Sequence, residues 1–213
     1  MGVRNTMSNL VAPKNSARAG LYGPDGARKY VNRGERQRFI AAVGTMERPR
    51  ALFGLTLAWT GARVSEVLAL TPASFQLDSG VVTFATLKRR RRCMREVPVP
   101  PELMTALEAE FSLSRCLDQR RLWTWRRETA WRIVRDAMRR AGVSGRCACP
   151  KGLRHGFGVG ALQAGVPLNL VQRWLGHARI STTAIYADAV GPEELSFAEK
   201  FWDTTTSTAH PRS

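Results

Sequence analysis

Leu52-Phe53-Gly54-Leu55-Thr56-Leu57-Ala58-Trp59-Thr60-Gly61-Ala62-Arg63-Val64-Ser65-Glu66-Val67-Leu68 interrupts a strongly basic chain with a stretch that carries no charge before Arg63. The apolar run from Ala51 to Trp59 is nine residues long, too short to cross a bilayer, and Arg63 follows it closely. It is therefore read as a helix buried on most of its sides, opened by Pro49 in the first turn and terminated by Gly61. A short helix over 63–70 follows, turns Val64, Val67 and Leu68 inward and stops before Pro72. Arg63 thus stands where a helix begins, embedded between apolar segments.

Working outward, Asn32 with Glu35 three positions on has the pattern of a capped helix start, and Phe39, Val43 and Met46 mark one face of that helix. Residues 1–28, rich in Gly, Ala, Ser, Asn and Pro with Arg4, Lys14 and Arg18, read as a flexible basic arm. Downstream, 75–98 changes to short β-rich runs: Asp78-Ser79-Gly80 as a turn, 81–87 as a strand, and Glu96-Val97-Pro98-Val99 closing a small antiparallel sheet. Between the last two strands lies Lys88-Arg89-Arg90-Arg91-Arg92, too densely charged for burial and suited to a hairpin tip that meets a partner.

Helices resume over 101–112 and 128–141. In the second, Trp131, Val134, Met138 and Ala141 form the expected apolar stripe, with Arg132, Arg135 and Arg139 beside it. Three short helices are predicted over 153–163, 167–175 and 180–187, separated by Gly165-Val166 and Gly176-His177. A final amphipathic segment, 192–202, offers Leu195, Ala198, Phe201 and Trp202 on one side and has to dock, and 204–213 is a polar tail. The expected architecture is mainly α with a small antiparallel β-sheet, an α+β domain over 29–203.

A chain of 213 residues with 44% hydrophobic content can bury one core, which excludes disorder throughout. Lysine and arginine number 33 against 17 acidic residues, a formal net charge of +16, which favours a polyanionic partner. Nothing resembles a secretory signal or a membrane span, so a cytoplasmic, nucleoid-associated protein is expected. Cys93, Cys116, Cys147 and Cys149 have no framework spacing and are expected as reduced thiols. Cys147-Ala-Cys149 lacks a second closely spaced ligand pair, so no metal is expected.

Four motifs stand in order: the segment from Thr60 to Leu68, Leu153-Arg154-His155, Leu175-Gly176-His177, and Thr183-Ala184-Ile185-Tyr186, with Tyr186 nine residues after His177. Together, across 30–202, they resemble the tyrosine recombinase (phage integrase) family. The resemblance is to its catalytic domain, in a chain similar in size to the single-domain fimbrial inversion recombinases. It implies the catalytic-domain fold of that family and site-specific cleavage and rejoining of double-stranded DNA through a 3′-phosphotyrosine intermediate, with no cofactor, metal or ATP. It also implies assembly as a homo-tetramer on paired sites, in the integration, excision or inversion of a mobile element.

The residue roles implied by the resemblance fit the chemistry. Tyr186 matches the nucleophile. Arg63 and Arg154 match the two arginines whose planar guanidinium groups suit phosphate oxygens and the charge that gathers on them in the transition state. His177 matches the donor to a phosphate oxygen, and Lys88 the acid for the departing 5′ oxygen, a role arginine cannot take because its pKa lies above ~12. Where most members carry histidine three residues before the second arginine, this chain has Lys151, read as a phosphate contact, with a base as the other reading. His155 is a possible substitute base or a buried structural histidine, and Glu66 is placed to orient Arg63. Only the arm before Tyr30 stands where most integrases carry a core-binding domain. Arg89, Arg90, Arg91 and Arg92 with Arg126, Arg127 and Arg132 are therefore expected to supply much of the phosphate contact, with steep salt dependence. Two other readings stay open: a DNA-binding protein that has lost turnover, and a type IB topoisomerase that relaxes supercoils without paired sites.

Overall fold

The computed structural model describes residues 20–88, 91–115 and 119–188, with positions 195, 198, 199, 201 and 202 near the carboxyl end. Most of the basic arm, Arg89, Arg90, Cys116 and the polar tail lie outside the described residues, as do the side chains of Lys88, Arg91 and Arg92.

Helix α1 (Arg33–Gly44) starts as its sequence dictates: the Glu35 amide donates to Asn32 Oδ1 at 2.8 Å, and the Asn32 amide donates to Glu35 Oε2 at 2.9 Å. Helix α2 (Arg48–Thr60) carries Pro49 in its first turn and ends at Gly61 with φ 60. A Cβ there would lie 2.5 Å from the Phe157 ring, so glycine is required for space as well as for backbone conformation. α2 is the central element: Leu52, Phe53, Leu57 and Ala58 are buried, and Phe53 meets Trp123 and Trp125 edge-on at 5.4 and 5.6 Å. Each such Leu or Phe contributes about 1.5–3 kcal/mol by leaving water. Arg63 then caps the single-turn helix α3 (Val64–Val67).

The sheet runs β1 (Phe75–Gln76), β2 (Val81–Lys88), β3 (Arg91–Pro98), all antiparallel and in sequence order. Its inner face places Val82, Phe84 and Val97 in the main core. The ladder is longer than the sequence implies. Lys88 pairs with Arg91 and Leu87 with Arg92, so most of the basic run belongs to the strands, and β3 begins five residues before Glu96. Backbone pairing does not require apolar side chains, which is why a burial-based reading truncated the strand.

Helices α4 (Pro101–Phe111) and α5 (Arg127–Arg140) follow, and α2 packs against α1, α4, α5 and α6 (Pro150–Gln163). The buried stripe of α5 is Ala130, Ile133, Val134, Ala137 and Met138, whereas Trp131 is 46% exposed. The two alanines allow close approach of the helix, so its packed face is centred away from its largest residue. α6 begins three residues earlier than predicted, with Pro150 in its first turn and the Gly152 amide donating to Cys149 Sγ. Lys151 and Arg154 are thereby set on one helix start.

Helix α7 (Leu168–Leu175) and the short α8 (Ser181–Ala184) lead into a 3-10 turn, Ile185–Asp188, that holds Tyr186. A second cluster, Tyr30, Phe157, Val159, Val171, Leu175 and Tyr186 with Leu21, packs this end of the molecule. Leu195, Phe201 and Trp202 are at least half exposed. Among the described residues, no helix is long and apolar enough to cross a membrane and no cluster of acidic, His and Cys side chains could hold a metal ion.

Candidate active site

Residues from four separate elements meet around one cavity of about 430 Å³: Arg63 before α3, Lys151, Arg154 and His155 on α6, His177 after α7, and Tyr186 on the 3-10 turn. Arg127 and Trp131 of α5 border it. A larger groove, about 830 Å³ between α1 and α6, contains none of the six.

Arg63 is held on one side only. Its amide donates to Glu66 Oε2 at 2.8 Å and its Nη1 to Glu66 Oε1 at 2.9 Å, while its side chain stays 45% exposed. Burial alone would push the Glu66 carboxyl up. Hydrogen bonds and charge from Arg95, and then from Arg63, overcome this and hold it at about 2. Glu66 is thus an anion at neutral pH, hydrogen-bonded to both the amide and the guanidinium of Arg63.

Arg154 is buried and acts as a staple. Nη1 donates to the Gly61 carbonyl at 2.7 Å and Nη2 to the Leu175 carbonyl at 2.6 Å, tying the ends of α2 and α7 together. Burial, reinforced by the nearby Arg63 charge, lowers its pKa to about 10, which leaves it cationic at neutral pH. Two of its five N–H groups serve these carbonyls, and the residue still lines the cavity.

Tyr186 is 1% exposed yet borders the same cavity. Its ring lies against Gly158, where a Cβ would come 2.6 Å from it, and stacks on His177 at 6.1 Å with an interplanar angle of 22°. Its hydroxyl is 3.1 Å from His155 Nδ1. Burial raises the phenol pKa, against the opposing pull of Arg154 and Arg63, so the resting group is neutral. Adjacent positions on α6 point about 100° apart; Arg154 consequently reaches the helix ends while His155 reaches the phenol. His177 donates or accepts at Nδ1 with buried Thr183 Oγ1 at 2.9 Å, and Gln172 Nε2 donates to its carbonyl at 3.2 Å.

Lys151 is exposed at the cavity rim, and Arg126, Arg127 and Arg132 are exposed at the start of α5. Lys88 ends β2, but its side chain, like those of Arg91 and Arg92, lies outside the described residues, as do Arg89 and Arg90 entirely. Arg95 was not anticipated. It is buried on β3 and donates to both Glu66 oxygens at 3.1 and 2.7 Å and through Nε to the Trp174 carbonyl at 2.7 Å. A signal was present: Arg95 and Val97 share the inward parity of a strand, and an inward arginine demands a buried acid.

Burial, with the charges of Lys151, Arg154 and Lys29, lowers the His155 pKa from its ordinary 6.5 to about 4. Between those values the unfolded chain binds a proton that the folded one does not, so stability falls as pH drops from 6.5 to 4, by up to about 3 kcal/mol. Glu66, lowered from 4.5 to about 2, contributes stability that is fully present above 4.5 and is lost as pH falls towards 2. Urea midpoints measured from pH 4 to 7.5 should therefore decline on acidification. His155→Asn should remove the decline between pH 6.5 and 4.5 and leave below it only the part that Glu66 contributes; a wild-type midpoint constant between pH 6.5 and 5 contradicts this.

Comparison with solved structures identifies the fold as that of tyrosine recombinase catalytic domains. The XerA recombinase structure superposes with a TM-score of 0.68 at 26% identity, over 86% of this chain and 66% of that one. The catalytic domain of bacteriophage HP1 integrase gives 0.57 at 25% identity, over 81% of this chain and 94% of that domain. The chain belongs to the phage integrase family, whose model matches residues 29–191. Tyrosine recombinase XerA of Pyrococcus furiosus is 32% identical over 144 residues, which is 63% of this chain and 48% of that protein. The chain spans about half the length of the curated relatives it matches.

Proposed function

We propose that the chain is a site-specific DNA recombinase whose nucleophile is Tyr186. The carrying observation is that Tyr186, Arg63 and Arg154, distant in sequence, line one cavity. Tyr186 Oη attacks the scissile phosphorus and its proton passes to His155 Nδ1, 3.1 Å away and unprotonated at neutral pH. Arg63 and Arg154 neutralise the non-bridging oxygens as charge gathers on them, and His177 donates a hydrogen bond to one of them. The 5′ oxygen departs with a proton, for which Lys88 is the candidate, and a 3′-phosphotyrosine bond replaces the phosphodiester. A 5′ hydroxyl reverses the steps and regenerates Tyr186. Because the phosphotyrosine bond conserves the energy of the broken one, no ATP is needed, and the cationic guanidinium groups of Arg63 and Arg154 supply the charge stabilisation that a metal would otherwise give.

Lys151 on the rim is assigned a contact to a flanking phosphate, since His155 already meets the phenol. Arg126, Arg127 and Arg132, with the basic run at 88–92, are assigned to the duplex backbone, in keeping with a net charge of +16. Action on chromosomal DNA implies a nucleoid-associated protein, and exchange between two duplexes implies a tetramer on paired sites. The test is a nicked suicide duplex bearing a site selected by the protein from random sequence. Wild type should accumulate a denaturant-resistant protein–DNA adduct with a free 5′ hydroxyl. Specific binding with no adduct would overturn the enzyme reading and leave a DNA-binding protein.

A further inference from the structure

Glu66, Arg95 and Arg154 are the buried charged side chains among the described residues, and the scheme above assigns no part to Arg95. Resting on the reading of Tyr186 as nucleophile, we propose that Arg95 is a positioning residue for cleavage. It locks the carboxylate that aims Arg63 and, together with Arg154, fixes the end of α7 that presents His177.

Every nitrogen of the Arg95 guanidinium is engaged. Nη1 and Nη2 donate to the two oxygens of Glu66, Nε donates to the Trp174 carbonyl, and the group lies over the Phe84 ring at 4.9 Å. Those same Glu66 oxygens accept from the Nη1 and the amide of Arg63. Glu66 is therefore shared between a buried arginine that has no freedom and a half-exposed one that faces the cavity. Without Arg95 the carboxylate loses the fork that sets its plane, and the Arg63 guanidinium loses its reference direction.

The second connection runs to α7. The last carbonyls of a helix have no partner within it. Here Trp174 O is taken by Arg95 and Leu175 O by Arg154, immediately before Gly176 at φ 64 and His177. The turn bearing His177 packs closely on the Arg95 side chain: a Cβ at Gly176 would lie 3.1 to 3.3 Å from its Cδ, Nε and Cζ. One residue on β3 thus bears on two of the three groups assigned to the phosphate without lining the cavity itself.

The test compares Arg95→Lys, Arg95→Gln and Glu66→Gln with Arg63→Ala in single-turnover adduct formation. Rates are scaled to the folded fraction and measured on the selected suicide duplex. A parallel duplex carries a methylphosphonate at the scissile position, which is neutral there and makes less demand on cations. The Arg95 variants should form adduct about 100-fold more slowly on the ordinary phosphate, with duplex affinity within about threefold of wild type. On the methylphosphonate their deficit should shrink to about tenfold or less, in parallel with Arg63→Ala. A bridging 5′-phosphorothiolate, whose sulfur leaves without a proton, should not rescue them. Wild-type rates per folded molecule, or an equal deficit on both duplexes, would overturn the positioning role in favour of a purely structural one. Should Arg95→Gln fail to fold, Arg95→Lys and Glu66→Gln decide by the same criteria. Wild type inactive on every duplex would instead overturn the cleavage reading, and this inference with it.

Discussion

Tyr186→Phe is expected to eliminate the covalent protein–DNA species, a loss of more than about 10⁴-fold in adduct formation, while fold and DNA affinity stay near wild type. The change removes one oxygen. The ring keeps its place against Gly158 and its stacking on His177, so the packing of the 3-10 turn is unaltered. What disappears structurally is the hydrogen bond to His155 Nδ1, worth about 1 kcal/mol. The His155 ring remains neutral, so no charge is stranded. Chemically, phenylalanine offers no lone pair to phosphorus. Denaturing gels on the suicide duplex and thermal unfolding read the two arms. An adduct formed by the phenylalanine variant would mean that another residue attacks, and the proposed mechanism would fail.

The second large effect belongs to Arg154, where stability and chemistry are lost together. Arg154→Met strands the Gly61 and Leu175 carbonyls, which two N–H groups now satisfy at 2.7 and 2.6 Å. Leaving buried acceptors unpaired costs about 1–3 kcal/mol each, so a total destabilisation of about 2–6 kcal/mol is expected from urea unfolding. Arg154→Lys should recover little of it, because one ammonium cannot span both carbonyls and a phosphate as a planar fork does. At a temperature where these variants are folded, adduct formation should still fall about 10²–10³-fold through loss of a donor to the transition-state oxygens. An Arg154→Lys protein of wild-type stability would show that the staple is dispensable. Rates near wild type in folded Arg154→Met would remove Arg154 from the phosphate site.

The contrast between Arg154 and Arg95 shows where sequence reasoning is strong. Arg154 was legible because it sits in a short motif next to His155 and its order relative to Arg63, His177 and Tyr186 is linear information. Arg95 follows a run of arginines, and its shared parity with Val97 is the one local sign that separates it from a solvated charge; the register Phe84↔Arg95 sets it on the inner face. Trp131 was misjudged for a related reason. Periodicity weights large apolar residues, yet the packing of α5 is set by Ala130 and Ala137, whose smallness matters only against a neighbouring element. α6 starts three residues before the predicted position because a cysteine cap is a weak signal, although Pro150 in the first turn is a helix-start residue.

Residues close in sequence determined the local structure. The reciprocal cap of Asn32 and Glu35, the stop at Gly61 and the β-rich hairpin segment all act within a few positions of the backbone, where steric and hydrogen-bonding rules operate without a fold. The tertiary structure decided which polar atoms are removed from water together. It set Arg154 across the ends of α2 and α7, Arg95 on Glu66, and His155 on the Tyr186 hydroxyl. Those pairings shift the pKa values and fix the geometry of the site, because burial makes each unsatisfied charge costly and so permits few arrangements.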